Sequence, residues 1–262
     1  MSPYQRRRQQ RAISLTALLL VLAAVIGVWW LVRYLGRDSI NTQNSQNSQM
    51  TVNQEAVAGE STESDIATAK YAAIETNLGP VYVELFQAAA PKTVQNFVTL
   101  AKRGYYNNLT FHRIVKDFVA QGGDPKGDGS GGTSAFGETF EDEINADSLD
   151  IPTDQKTMLE QVYGYSYRTD IKSHHMTVGA VAMANRGANT NGSQFFIVTT
   201  KDQLFLDGRH TVFGQVVNED DILARLDAVE TKTERPVNPV TITAIVTGNT
   251  LAEIKATSTD NE

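Results

Sequence analysis

The chain has 262 residues, 41% of them hydrophobic, with a net charge of −7 and no cysteine. That length can bury one substantial core or two small ones, and the lack of cysteine excludes disulfides and thiolate metal sites. Residues 1–37 hold six arginines and no acid, so a total of −7 leaves −13 on the remainder, a charge that repels phosphate backbones and excludes nucleic acid as an expected partner.

Residues 1–11 form a basic segment, and residues 12–32 contain no charged residue. As a helix those residues span about 32 Å, close to the roughly 30 Å hydrocarbon core of a bilayer. Trp29, Trp30 and Tyr34 sit at the far end, where amphipathic rings favour the interface, and the arginines before the run place the N-terminus in the cytoplasm. Residues 12–34 therefore read as an uncleaved single-pass signal anchor with the rest of the chain extracytoplasmic. A cleaved signal peptide is the alternative, although the run exceeds a usual h-region and bulky residues occupy the place of an A-x-A-like site. Residues 35–69 are rich in Asn, Gln, Ser, Thr and Glu, bury too little apolar surface to offset their ordering entropy, and read as a disordered tether.

A domain is expected over residues 70–249. Residues 71–76 and 81–86 alternate around Asn77-Leu78-Gly79-Pro80, the pattern of a hairpin. Pro91 then opens a helix in which Val94, Phe97, Val98 and Ala101 share one face, and Gly104 stops it. Residues 111–124 read as a strand ended by Gly122-Gly123. On an unbroken strand Arg113 and Gln121, eight residues apart, leave the same face as Val115 and Val119, so a guanidinium and an amide stand over an apolar floor. A second block runs from Met183-Ala184-Asn185 through Asn191-Gly192-Ser193-Gln194-Phe195-Phe196-Ile197. Adjacent strand residues face opposite ways, and parity with Gln194 sends Phe196 to the polar face and Phe195 to the core. A third block, Phe205-Leu206-Asp207-Gly208-Arg209-His210 through Gly214, carries a histidine among apolar residues. A second helix is expected near residues 221–229, and residues 250–262 read as a tail.

These three blocks, in this order and spacing, resemble the cyclophilins, the peptidyl-prolyl cis/trans isomerases, over about residues 71–248. The resemblance implies a mainly β fold, a closed eight-stranded antiparallel barrel capped by two helices, here preceded by one transmembrane helix. It implies that Arg113 is catalytic: a guanidinium that cannot act as a base donates toward the prolyl nitrogen or adjacent carbonyl in the transition state and weakens amide resonance. Phe118, Val119, Phe196, Leu206 and His210 would form the proline pocket, with His210 in a packing role. Gln121 and Asn185 would orient the substrate backbone, Gln194 would line the same face, and Ala184 would allow close approach. Gly129 and Gly131 would border the groove for residues preceding the proline. Phe205 replaces a tryptophan common in the family; the lost indole N–H argues against tight cyclosporin binding, while the aromatic floor keeps proline isomerisation. Val119 stands for a commoner methionine.

Residues 144–176 depart from compact family members as an insertion, with a short helix over residues 154–162 and tyrosines that suggest an ordered flap. Other motifs fail on context. The glycines of residues 127–132 fit G-x-G-x-x-G but open no helix, and Lys126 occupies a ligand position in the calcium-loop echo that starts at Asp124. His174 and His175 read as exposed rather than metal-binding, and Glu141-Asp142-Glu143 as a solvated turn. The reading is a membrane-tethered isomerase, without cofactor, acting on Xaa-Pro bonds of proline-containing exported or surface polypeptides and assisting their folding. A tethered proline-binding module or chaperone with little catalysis is the alternative.

Overall fold

The computed structural model describes residues 69–218 and 220–259. The expected membrane anchor lies outside the described residues, and among those described no helix is long and apolar enough to cross a membrane.

The expected hairpin is formed by β1 (Tyr71–Thr76) and β2 (Val81–Leu85), paired antiparallel with Ile74 opposite Val81. Pro91 starts α1 (Pro91–Lys102), whose Val94, Phe97, Val98 and Ala101 are buried as the periodicity requires. Two residues after β3 (Leu109–Thr110) come β4 (Arg113–Val115) and β5 (Val119–Gly122), so residues 111–124 form a hairpin and not one continuous strand. The turn holds Asp117 at φ 60°, in the left-handed region. The faces survive this correction, because directly opposed residues of an antiparallel ladder share a face, and Arg113 opposes Gln121 as Val115 opposes Val119.

After α2 (Thr153–Gln161) come β6 (Ala180–Met183), β7 (Phe195–Val198), β8 (Val212–Val216), α3 (Ile222–Asp227), a small hairpin of β9 (Thr231–Lys232) and β10 (Arg235–Pro236), β11 (Thr241–Gly248) and α4 (Leu251–Thr259). Nine strands join in the order β3-β11-β1-β2-β8-β6-β7-β5-β4. The outer strands β3 and β4 are separated in sequence by only Phe111 and His112, so the sheet must curl, yet it stays open. The expected closed, eight-stranded barrel is therefore corrected to a nine-stranded curled half-barrel. Its outer strand β4 does not pair with β3: Ile114 N donates instead to Glu234 O in the β9–β10 turn (2.8 Å), and that contact protects the edge.

Ile74, Val83, Phe97, Phe111, Ile114, Phe195, Phe213 and Ile242 form the main core. Burying each such side chain contributes about 1.5–3 kcal/mol before entropy is counted. The expected second helix is α3, with Ile222 and Leu226 inside. The expected C-terminal tail is largely α4, which packs on β1 and β11 with Ile254 fully buried. Residues 144–176 fold back on themselves: Arg168 N donates to Ile144 O (2.7 Å) and Asn145 Nδ2 to Ile171 O (2.6 Å). Within the insertion Ile144, Leu149, Leu159 and Met176 are buried.

The turn at residues 141–143 is not solvated throughout. Glu141 is exposed, but Asp142 and Glu143 are buried, and Glu143 accepts from Lys92 N (3.1 Å), Thr93 N (2.7 Å) and Thr93 Oγ1 (2.9 Å). A distant carboxylate thus serves the N-terminus of α1, whose own Ala90 offers no capping oxygen.

Candidate active site

Three adjacent strands build a single row across one face of the sheet. Arg113 on β4 opposes Gln121 on β5, which opposes Phe196 on β7. Because strands lie about 4.8 Å apart, the row carries a cation, an amide and an aromatic ring in order from the sheet edge inward. Parity divides the adjacent phenylalanines as expected. Phe195 packs edge-on to Phe97 and Tyr106 in the main core, while Phe196 belongs to a second apolar cluster with Val119, Ala182, Val198 and Val212. Phe118, Ala184 and Leu206 pack against that second cluster. His210 closes it, its ring perpendicular to Phe196 at 5.4 Å. Its Nδ1 lies 3.0 Å from Met183 O, and since a carbonyl only accepts, Nδ1 carries the proton. Burial pushes the His210 pKa below its ordinary value, so the ring is a neutral wall at pH 7.

The polar side is a relay. Gln121 Nε2 donates to Gln194 Oε1 (3.0 Å), and Gln194 Nε2 donates to Gly131 O (2.8 Å) and Gly129 O (3.1 Å). Arg186 also donates to Gly129 O (2.7 Å), and these residues line a small cavity of about 130 Å³ with Ala184 and Asn185. The loop itself is wound around Asp124, whose carboxylate accepts from Lys126 N (2.9 Å) and Gly129 N (2.6 Å). Burial raises the Asp124 pKa, but these amides outweigh it and hold the group below its ordinary value. The Asn185 side chain is held by its own partners, Nδ2 donating to Arg209 O (2.9 Å) and toward the buried Asp142 (3.4 Å).

Arg113 itself is clamped. Its Nε donates to Glu234 Oε2 (2.7 Å), and its Nη1 faces Gln121 Oε1 at 3.4 Å. Glu234 lies in a two-residue turn with Thr233, both at positive φ, a geometry suited to tight hairpins. Sequence reading missed Glu234 because nothing local ties it to a residue 121 positions away. It also left out Arg186 and the buried His112, although both lie within the blocks it used.

The structure thus brings together Arg113, Phe118, Val119, Gln121, Gly129, Ala184, Gln194, Phe196, Leu206 and His210. Phe205 stands apart at the rim: its ring is largely exposed and stacks on Phe118 at 6.0 Å.

A charged, non-basic donor beside a neutral apolar pocket with amides on its flank suits rotation about an imide bond, which needs polarisation and shape but no proton transfer. Comparison with known proteins agrees. The model of the cyclophilin-type peptidyl-prolyl cis-trans isomerases matches residues 71–247. The chain belongs to that family. It is 45% identical over 170 residues to a peptidyl-prolyl cis-trans isomerase of Arabidopsis thaliana, covering 64% of this chain and 88% of the relative. A second such isomerase, from Schizosaccharomyces pombe, is 43% identical over 170 residues and is covered to 93%. Among solved structures, a Cryptosporidium parvum cyclophilin-type isomerase superposes with a TM-score of 0.57 at 31% identity, spanning 70% of this chain and 99% of that one. The same protein was also crystallised in the presence of the dipeptide Ala-Pro.

Proposed function

We propose that the domain accelerates cis/trans rotation of Xaa-Pro bonds in exported or surface polypeptides, that Arg113 is the catalytic donor, and that residues 12–34 tether it to a membrane. The row Arg113–Gln121–Phe196 carries the reading of the site. A proline ring seated among Phe118, Val119, Phe196, Leu206 and His210 would present its nitrogen toward the guanidinium. Donation there localises the nitrogen lone pair, and the C–N bond loses part of the double-bond character behind its barrier of about 18–20 kcal/mol. Gln121, the backbone of Asn185 and the carbonyls of the Gly129 loop would hold the flanking chain in the twisted geometry. Phe205, lacking an indole N–H, leaves cyclosporin weakly held. The anchor rests on the uncharged run at residues 12–32 and the arginines before it.

The test is isomerisation of a short Xaa-Pro peptide by the full-length chain and by Arg113→Ala. Acceleration in the wild type that falls at least about a hundredfold in the variant, with peptide affinity nearly unchanged, is expected for a group that acts mainly in the transition state. Equal losses of affinity and rate would assign Arg113 to binding alone. For the anchor, the chain should remain with the membrane fraction after an alkaline wash, and protease outside the membrane should digest the domain. Release by the wash would end that part of the reading.

A further inference from the structure

Seven large apolar side chains are exposed among the described residues, and five of them come from two segments: Met158, Val162 and Tyr163 from the insertion, Leu204 and Phe205 from the turn that carries the pocket residue Leu206. Clustered exposed apolar surface of this kind marks a binding site more often than chance. Three of the five share one groove. Met158, Leu204 and Phe205 line a groove of about 680 Å³, with the polar side chains of Asp154, Gln155 and Arg209 also along its walls.

The two walls are fixed to each other. Tyr167 Oη donates to Gly208 O (3.0 Å), His175 Nδ1 meets Asp207 Oδ2 (2.7 Å), and Met176 N donates to Asp207 Oδ1 (2.8 Å). Gly208 sits at φ +79°, and a β-carbon there would lie 2.5 Å from Ile151 Cδ1, so the insertion is seated against a bare backbone. Arg209 lies over the Tyr163 ring at 5.7 Å, which holds the end of α2 to the pocket turn. The groove also adjoins the proline pocket. Phe205 lines the groove, its ring stacks on that of the pocket residue Phe118 at 6.0 Å between centroids, and its sequence neighbour Leu206 belongs to the pocket, so a few residues of extended chain, at roughly 3.3–3.6 Å each, reach from one to the other.

We propose that this groove is a substrate subsite that takes an aromatic or large aliphatic side chain two or three residues from the proline, and so gives the enzyme a sequence preference that the pocket alone does not supply. The occupant is the substrate polypeptide itself, because Phe205 and Leu206, adjacent in sequence, set the groove beside the pocket proposed to hold its proline. The proposal rests on the isomerase reading, and its test separates the two.

Peptides of the form with alanine at every flanking position are compared with peptides carrying one phenylalanine at the second or third position on either side of the proline, using the full-length chain and its M158K/L204K double variant. Both replaced side chains are exposed, and neither belongs to the pocket. The wild type should favour one phenylalanine placement by about tenfold in kcat/KM and in Kd, the effect of burying part of a large apolar side chain. The double variant should turn over the alanine peptide as the wild type does and keep less than about a threefold preference. Equal handling of all peptides by the wild type, or a preference that survives in the double variant, overturns the subsite. If no peptide is turned over, the isomerase reading fails and the Kd ratios alone decide the groove by the same criteria. Should the wild type sediment as a dimer that M158K/L204K dissociates, without a change in peptide preference, the groove is covered by a second copy and the proposal is likewise overturned.

Discussion

Arg113 and Glu234 meet across 121 positions of sequence, the guanidinium Nε donating to a carboxylate oxygen at 2.7 Å. Both side chains keep substantial contact with water, at 35% and 53% exposure. An ion pair so placed contributes at most about 1 kcal/mol to stability. Its effect is on orientation, since engaging Nε fixes the plane of the fork and leaves Nη2 without a partner among the described residues, as the proposed donor to substrate requires. Glu234→Ala should therefore lower kcat by about tenfold while moving stability by less than about 1 kcal/mol. Steady-state kinetics beside thermal unfolding checks this; an unchanged kcat would mean that Gln121 alone positions the guanidinium.

Gln194 is the only bridge from the Gln121 amide to the Gly129 and Gly131 carbonyls that the described residues provide. Gln194→Ala takes the side-chain donor from Gly131 O, leaves Gly129 O to Arg186 alone, and frees the Gln121 side chain to rotate. We expect KM to rise more than kcat falls, because the loop, as proposed, would contact substrate in ground and transition states alike. A loss confined to kcat, read from full saturation curves, would place Gln194 with the reacting bond instead.

Stability should hinge on Glu143 and not on its neighbour Glu141. Glu143 is buried and takes two backbone N–H groups and a hydroxyl at the start of α1, with Arg168 Nη1 at 3.3 Å on its other side. Removing it leaves those donors unsatisfied, so Glu143→Ala should cost about 3 kcal/mol. Glu141 pairs with Lys92 at the surface, and Glu141→Ala should change stability by less than about 0.5 kcal/mol. Urea unfolding of both variants gives the comparison, and similar losses would refute the capping role.

Acid should loosen the fold before the carboxylates titrate. Burial pushes the His112 pKa below the ordinary value, against the pull of Asp124, and neither ring nitrogen has a partner among the described residues. Burial lowers His174 and His210 as well. The unfolded chain then binds more protons than the folded one once pH drops through about 6.5, so stability present above that value declines on acidification toward about pH 5. Asp142, raised by its own burial, acts in the opposite sense, its protonation favouring the folded state at lower pH. Unfolding free energies at pH 7.5 and 5.0 for the wild type and His112→Gln should show a drop that the variant reduces. A wild type equally stable at both values would contradict it.

Periodicity made much of this architecture legible. The buried face of α1 follows from Val94, Phe97, Val98 and Ala101, and parity alone separates Phe195 from Phe196. The same parity put Arg113 and Gln121 on one face even though the supposed strand is a hairpin, because an even spacing and a direct cross-strand pairing both do so; that the two are neighbours follows from the hairpin alone. What escaped depends on partners chosen at a distance. Asp142 and Glu143 look like solvent-loving turn residues until α1 and the Asn185–Asn191 loop close over them. The opening of the sheet depends on the Glu234 carbonyl taking the place of a neighbouring strand, and α4 becomes a helix where the bare segment suggested only a tail.

The place of β11 has a consequence for how the chain is made. It lies between β3 and β1, pairing Tyr71 at the start of the domain with Gly248 near its end. Until β11 appears, β1 has one bare edge and β3 has no strand to pair with. At roughly 5–20 residues per second of synthesis that wait extends over many seconds, during which β-rich segments stand open to other chains. An enzyme proposed to hasten the folding of others thus completes its own sheet only once β11 is available, and a chain cut before β11 should keep those edges of β1 and β3 bare.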